Sequence, residues 1–207
     1  MATPVVRALV PAVAAFALAG CSRPAGGPAA SPSPGALDPA RPLPSPVPDV
    51  VARVNGQPVR IHQILPMAKA ELDRLSLTER DAKKPEVLRG ALQRYVDREL
   101  LLQEALARGI EADSRSVEWA YDQLRREHAD DAAWTEFLAG QGIDPQSFRA
   151  ELRSQQTVAA LLEQELRRAP GGEDAGADEA QRQRRQAEVQ QALVARLRAK
   201  ARIELFL

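Results

Sequence analysis

Residues 85–110 read PEVLRGALQRYVDRELLLQEALARGI, and this stretch decides the fold. Its apolar residues recur at i, i+3, i+4 and i+7, which is the spacing of a helix with one buried face. Pro85 and Glu86 suit a first turn, and Gly109 can adopt the left-handed conformation that ends a helix. We therefore predict a helix of about 23 residues, roughly 35 Å long, at the centre of the domain. Its predicted buried stripe comprises Leu88, Leu92, Tyr95, Val96, Leu102 and Leu106, widened by Leu100 and Leu101.

Segments on both sides of this helix carry further helix signals. Short polar residues that accept hydrogen bonds from backbone N–H groups mark helix starts, and a proline at the first helical position strengthens that signal. The chain is therefore predicted to be mainly α-helical. The expected helices are 61–75, one capped by Asp113 or Ser114 and ending near 128, a shorter one capped by Asp130 or Asp131, one capped by Asp144 and running to about 168, and 181–200.

Two short segments predict a small β element. Residues 50–60 are rich in valine and contain Asn55-Gly56, the pair that favours a type I′ hairpin turn. Pro58 has no N–H group, so its strand should lie at an edge of the sheet. Residues 201–207 alternate apolar and polar side chains, as a half-buried strand does. We expect this last strand to pair with residues 50–54.

The N-terminus has the features of an export signal. Arg7 precedes an apolar run of about 11 residues, which is too short to span a bilayer and typical of a signal peptide. The run ends in LAGC, which matches the bacterial lipobox and contains the only cysteine. We predict a signal peptide over 1–20 and lipidation of Cys21, which would anchor the chain to a membrane. The alternative is a plain signal peptide followed by an incidental thiol.

Residues 21–48 are predicted to be a disordered tether. Nine of the 27 residues from 22 to 48 are proline, and most others are small. Such a segment cannot bury a core. The alternative is a spacer without a selected role, which would have the same geometry.

Ser22 stands where aspartate would favour inner-membrane retention. We therefore expect a chain anchored in the cell envelope, facing the periplasm, with the outer membrane favoured.

Composition and motifs argue against several functions. Lys+Arg and Asp+Glu both total 28, whereas nucleic-acid-binding proteins usually show a basic excess. We find no ligand cluster with metal spacing and no glycine-rich phosphate loop. His62 and His128 are expected at helix ends and not in a catalytic site. We therefore expect no catalytic residues, no cofactor, no metal, no nucleic-acid partner and no small-molecule substrate.

Three stretches resemble the SurA/PrsA group of secreted chaperones and parvulin-type prolyl isomerases. They are YVDRELLLQEALARGI, VVARVNG and FLAGQGIDPQSFRAELRSQQTVAALL. The resemblance implies a SurA N-terminal-like helical domain, related to the trigger-factor peptide-binding fold, over 49–168. It also implies that 181–207 completes the domain with a helix and a closing strand, and that the partners are unfolded polypeptides.

One departure from this group bears on activity. In its isomerase members a parvulin domain lies between the last client-binding helix and the closing helix. Here residues 169–180, an acidic glycine-rich loop, occupy that place, and so short a segment cannot form a folded domain. The resemblance therefore implies a chaperone that is not an enzyme. A relative with residual isomerase activity is the least favoured alternative.

Aromatic residues between the central helix and its successor are the candidate site. A chaperone needs exposed apolar area rimmed by charge, whereas the plainer interpretation is core packing. Trp119 is the first choice because it falls off the stripe that its own helix would bury. We predict a lipid-anchored chaperone; the alternative is a dedicated assembly lipoprotein of an export or polysaccharide-secretion system. The predicted client-contacting residues are Trp119, Tyr121, Trp134, Phe137, Leu138 and Phe148.

Overall fold

Helices dominate the part of the chain that the structure describes. In this computed structural model the described residues are 42–74, 77, 84–140, 142–169 and 178–207. All of them fall within one compact unit. The elements are β1 (Val50–Val54), β2 (Gln57–Arg60), α1 (Ile61–Arg74), α2 (Pro85–Ala107), α3 (Ser114–Arg126), α4 (Asp131–Gly140), α5 (Pro145–Arg168), α6 (Glu179–Lys200) and β3 (Ile203–Leu205).

The hairpin of β1 and β2 forms as predicted. Its central residues Asn55 and Gly56 have φ angles of 51° and 86°, and positive φ at both positions is what a type I′ turn requires. The strand order is β2-β1-β3, so Pro58 lies in an edge strand, where its missing N–H costs least.

The C-terminal strand β3 pairs antiparallel with β1, which confirms the predicted closure of the fold. Ala52 lies opposite Leu205 and Val54 opposite Ile203. Two backbone hydrogen bonds flank this pairing, from Asn55 N–H to the Arg202 carbonyl and from Phe206 N–H to the Val51 carbonyl. The two ends of the described domain therefore share one sheet.

Helix α2 is 23 residues long and packs against different partners along its length. Its first half packs on α1 and the sheet, and its second half packs on α5 and α6. The prediction that Leu106 belongs to the buried stripe is wrong, because its side chain is 49 % exposed. Helices α5 and α6 cover the neighbouring face instead, where Leu101 and Ala105 are fully buried.

Predicted capping residues hold the starts of the later helices. Asp113 accepts a hydrogen bond from Ser116 N–H, and Asp130 accepts one from Ala133 N–H. Asp144 accepts bonds from the N–H groups of the second and third residues of α5 and from the Ser147 hydroxyl. These bonds, led by that of the Ser147 hydroxyl, lower the pKa of Asp144.

One carboxylate links three helices. Glu165 of α5, with 14 % of its side chain exposed, lies 2.6 Å from Arg108 after α2 and 3.0 Å from Arg196 of α6. Hydrogen bonds from Arg108 and then Arg196 lower the pKa of Glu165, so the carboxylate stays ionised. Charge-assisted bonds of this kind orient α2, α5 and α6 relative to one another.

Several predictions fall outside the described residues. These are the signal peptide over 1–20, the lipidation of Cys21, the tether as far as residue 41, and residues 170–177 of the acidic loop. In the part of the chain that is described, every helix is too short or too polar to cross a bilayer.

Candidate functional site

Helices α3 and α4 and the first turns of α5 form a small lobe that gathers the predicted aromatic residues. Asp113 and Asp144 cap two of these helices, so the chain reverses at defined points and brings the apolar faces together. The buried residues of this lobe form a cluster of their own, consisting of Val117, Tyr121, Trp134, Leu138 and Leu152.

Three of the six predicted client-contacting residues lie inside the lobe. Tyr121, Trp134 and Leu138 are only 5 %, 3 % and 1 % exposed. The Trp134 indole N–H donates a hydrogen bond of 2.8 Å to the Tyr121 hydroxyl, and the two rings meet edge to face at 5.4 Å. Phe148, which is partly buried, meets both rings edge-on. In this conformation these side chains support the surface of the lobe from beneath.

The other two residues lie on the surface of the lobe. Trp119 is 58 % exposed and Phe137 is 40 % exposed. Trp119 lies on the side of α3 away from Val117 and Tyr121, so the prediction that it falls off the buried stripe is confirmed. Phe137 stacks on Trp134 at 5.5 Å, which holds its ring in place.

Two ion pairs join the helices of the lobe. Arg149 of α5 pairs with Glu118 of α3 at 2.9 Å and lies 3.6 Å from the centre of the Tyr121 ring. Arg125 pairs with Asp131 at the junction of α3 and α4. The lobe therefore carries both exposed apolar rings and paired charges, which are features common at interaction surfaces.

A groove between α2 and α5 is a second feature, and sequence reasoning missed it. Its volume is about 260 Å³. Each helix contributes residues at i, i+3, i+4 and i+7, which is one face of a helix. That spacing is visible in the sequence, but it does not say which two faces meet. The groove is lined by Tyr95, Arg98, Glu99, Leu102, Ser147, Ala150, Glu151 and Ser154.

Electrostatics in the groove centre on α2. Arg98 reaches across to Glu151 at 2.5 Å. The Tyr95 hydroxyl accepts a hydrogen bond of 3.0 Å from the Gln63 amide. Burial raises the pKa of Tyr95, and the nearby charge of Glu99 raises it further. The phenol therefore stays protonated and can donate a hydrogen bond.

The two histidines lie where the sequence placed them, at helix ends. His62 is exposed near the start of α1, and His128 follows α3. The His128 ring packs 5.0 Å from Trp134 and 4.7 Å from Phe137, so it belongs to the aromatic cluster. Within the described ranges no three His, Cys, Asp or Glu side chains gather as metal ligands would.

Comparison with known proteins identifies one family. A family model described as the SurA-like N-terminal domain matches residues 8–162. A search of curated proteins found no match to the chain. The matched residues include α1 to α4, most of α5 and the hairpin of β1 and β2.

Proposed function

The chain belongs to the SurA-like N-terminal domain family, and from this premise we propose that it holds unfolded or partly folded polypeptides on its small lobe without catalysing a reaction. The family is of the chaperone type, and its members generally bind polypeptide clients. The finer assignment, to the small lobe of this chain, rests on the exposed aromatic residues.

The observation that carries the proposal is the exposure of Trp119. A tryptophan that is 58 % exposed, on the side of α3 away from the packed aromatic cluster, leaves a large apolar area in water. Tryptophan is among the residues most enriched at energetic centres of interfaces. The buried rings keep the lobe rigid, while the exposed ones offer contacts that tolerate varied partners, as a holding chaperone needs.

We expect the Trp119→Ala variant to hold clients more weakly. Truncation removes the largest exposed ring of the lobe, and such central contacts cost more than 1 kcal/mol when lost, about a fivefold weakening or more. The measurement is light scattering of a denatured model client titrated with the full chain. About fivefold more variant than wild type should be needed for half-suppression of aggregation.

Leu65→Ala is the matched control, because Leu65 is 50 % exposed but lies on α1, outside the small lobe. Its suppression curve should overlay that of the wild type. Equal losses in both variants would mean that the lobe is not the binding surface. A wild-type chain that fails to suppress aggregation at several-fold excess would contradict the holding function itself. Capture of one stoichiometric envelope partner would instead favour a dedicated assembly lipoprotein.

We also propose that Cys21 carries lipid and anchors the domain in the cell envelope, in the outer membrane. The support is the LAGC motif at the end of a short apolar run, followed by serine. Several acyl chains on one residue give stable anchoring, which a single chain does not. The proline-rich residues that follow would hold the domain off the bilayer.

Cys21→Ser should prevent lipidation. The variant should then either leave the membrane fraction or keep its signal peptide uncleaved. A serine hydroxyl cannot replace the thiol that receives the diacylglycerol. The measurement is incorporation of labelled fatty acid together with sedimentation of membranes. Unchanged labelling of the Cys21→Ser variant would refute lipidation at this residue.

A further inference from the structure

The groove between α2 and α5 is smaller than a typical small-molecule site. Its volume of about 260 Å³ lies below the range of about 300–1,000 Å³ that is typical of small-molecule sites. The α5 side of the groove is lined by small side chains, which leave space unfilled: Ser147, Ala150 and Ser154. The groove therefore leaves room for an inserted side chain.

The charge of the groove is negative. Two carboxylates and one guanidinium line it, which leaves a net charge of one negative unit. Arg98 is engaged with Glu151 at 2.5 Å. Glu99 accepts a hydrogen bond of 2.7 Å from the Gln103 amide, and in the described residues no cation pairs with it. A cationic group in the groove would therefore find a carboxylate whose charge is not neutralised.

The remaining lining residues match the rest of such a side chain and its backbone. Leu102 and Ala150 offer apolar surface to an aliphatic stem, as long basic side chains require. The Tyr95 hydroxyl is fixed by the bond from Gln63, and within the described chain its own proton has no acceptor. That proton can be donated to a main-chain carbonyl beside the inserted side chain.

We propose that this groove takes an arginine side chain of a client polypeptide and so gives the protein a preference among client segments. The inference rests on the function proposed above. Arginine fits better than lysine because its planar guanidinium can bond to carboxylate with two parallel N–H groups. The groove adjoins the small lobe, since Ser147 lines the groove while the next residue, Phe148, packs into the lobe.

The test compares two labelled, unstructured peptides that differ at one residue. Both carry the same aromatic residues, and the central residue is arginine in one and glutamine in the other. Fluorescence anisotropy with the full chain should give about tenfold tighter binding of the arginine peptide at low salt, as expected for a charge-assisted hydrogen bond. The preference should shrink at high salt, because Glu99 is only partly buried.

Glu99→Gln should abolish the preference and leave the affinity for the glutamine peptide unchanged. The control Glu188→Gln, which removes an exposed carboxylate from α6, should keep the preference. An arginine preference that persists in Glu99→Gln would overturn the proposal while the client-holding function stands. Failure of the wild type to bind either peptide would overturn both.

A second variant tests the shape of the groove. Ala150→Met should occupy the groove and lower the affinity for the arginine peptide about fivefold or more, since the inserted stem loses its space. Ala159→Met is the matched control, because Ala159 is exposed on the opposite face of α5. Equal effects of the two methionines would overturn the proposal. If the chain self-associates and Glu99→Gln abolishes that self-association, the groove binds a second copy of the chain, and the proposal is overturned.

Discussion

Trp134→Ala should lower the free energy of unfolding by about 3–5 kcal/mol, the usual cost of truncating a buried tryptophan to alanine. The side chain is 3 % exposed and contacts the rings of Tyr121, Phe137, Phe148 and His128. Its loss leaves a cavity and deprives the Tyr121 hydroxyl of the indole N–H that bonds to it at 2.8 Å. Urea unfolding followed by far-ultraviolet circular dichroism measures the change.

The same variant should lose the ability to hold clients, because Phe137 stacks on Trp134 and the small lobe would no longer present a fixed surface. Trp119→Ala is the matched control for stability only, since it should itself weaken client holding. It removes the same type of residue, but from a site that is 58 % exposed, and should change stability by no more than about 0.5 kcal/mol. Similar urea midpoints for Trp134→Ala and the wild type would show that the lobe does not pack around this residue.

Glu204→Pro should be about as damaging, because it interrupts the strand that closes the fold. Backbone hydrogen bonds join residues 55 and 202 and residues 51 and 206. In an antiparallel ladder every second pair is hydrogen-bonded, so the intervening pair Arg53 and Glu204 is also hydrogen-bonded through its backbone N–H and C=O groups. Proline removes that N–H donor and leaves the Arg53 carbonyl without its partner, at about 1–3 kcal/mol. Loosening the buried Leu207 adds about 1.5–3 kcal/mol. The expected loss of unfolding free energy is therefore about 2.5–6 kcal/mol.

Glu204→Ala separates the backbone effect from the side-chain effect. It keeps the N–H group and removes only a surface ion pair with Arg202, which is worth at most about 1 kcal/mol. Both variants are compared by urea unfolding, with the midpoint and the slope fitted together. If proline costs no more than alanine at this position, β3 does not contribute to the closure of the domain.

The sequence predicted the backbone of the domain well. The helix around residues 85–110, the turn at Asn55-Gly56 and the restart at Asp144-Pro145 are each encoded within a few neighbouring residues. Their signals are local, since a cap, a proline or a residue with positive φ acts on its own turn of chain. The pairing of the last strand with β1 was also predicted, from the alternation of residues 201–207 and with support from the family resemblance.

The aromatic residues show what local sequence signals cannot predict, namely which rings are buried. Trp119 could be assigned to the surface because its own helix has a strong apolar stripe that excludes it. Tyr121, Trp134 and Phe137 could not be sorted in the same way, since the return of α5 decides which rings are covered. The prediction for Leu106 was wrong for the same reason, because α5 and α6 pack on the neighbouring face of α2.

By itself the sequence determined the elements, their caps, the turn and the family to which the chain belongs. Only the tertiary structure decided which side of α2 is buried, which aromatic rings remain in water, and that faces of α2 and α5 leave a groove with an unneutralised carboxylate. The physical reason is that the periodicity of apolar residues specifies the apolar face of a single helix or strand, and this signal depends only on residues close by in the sequence. Burial of a given side chain depends on elements that are 40 or more residues away in the chain, as Arg98 and Glu151 across the groove illustrate.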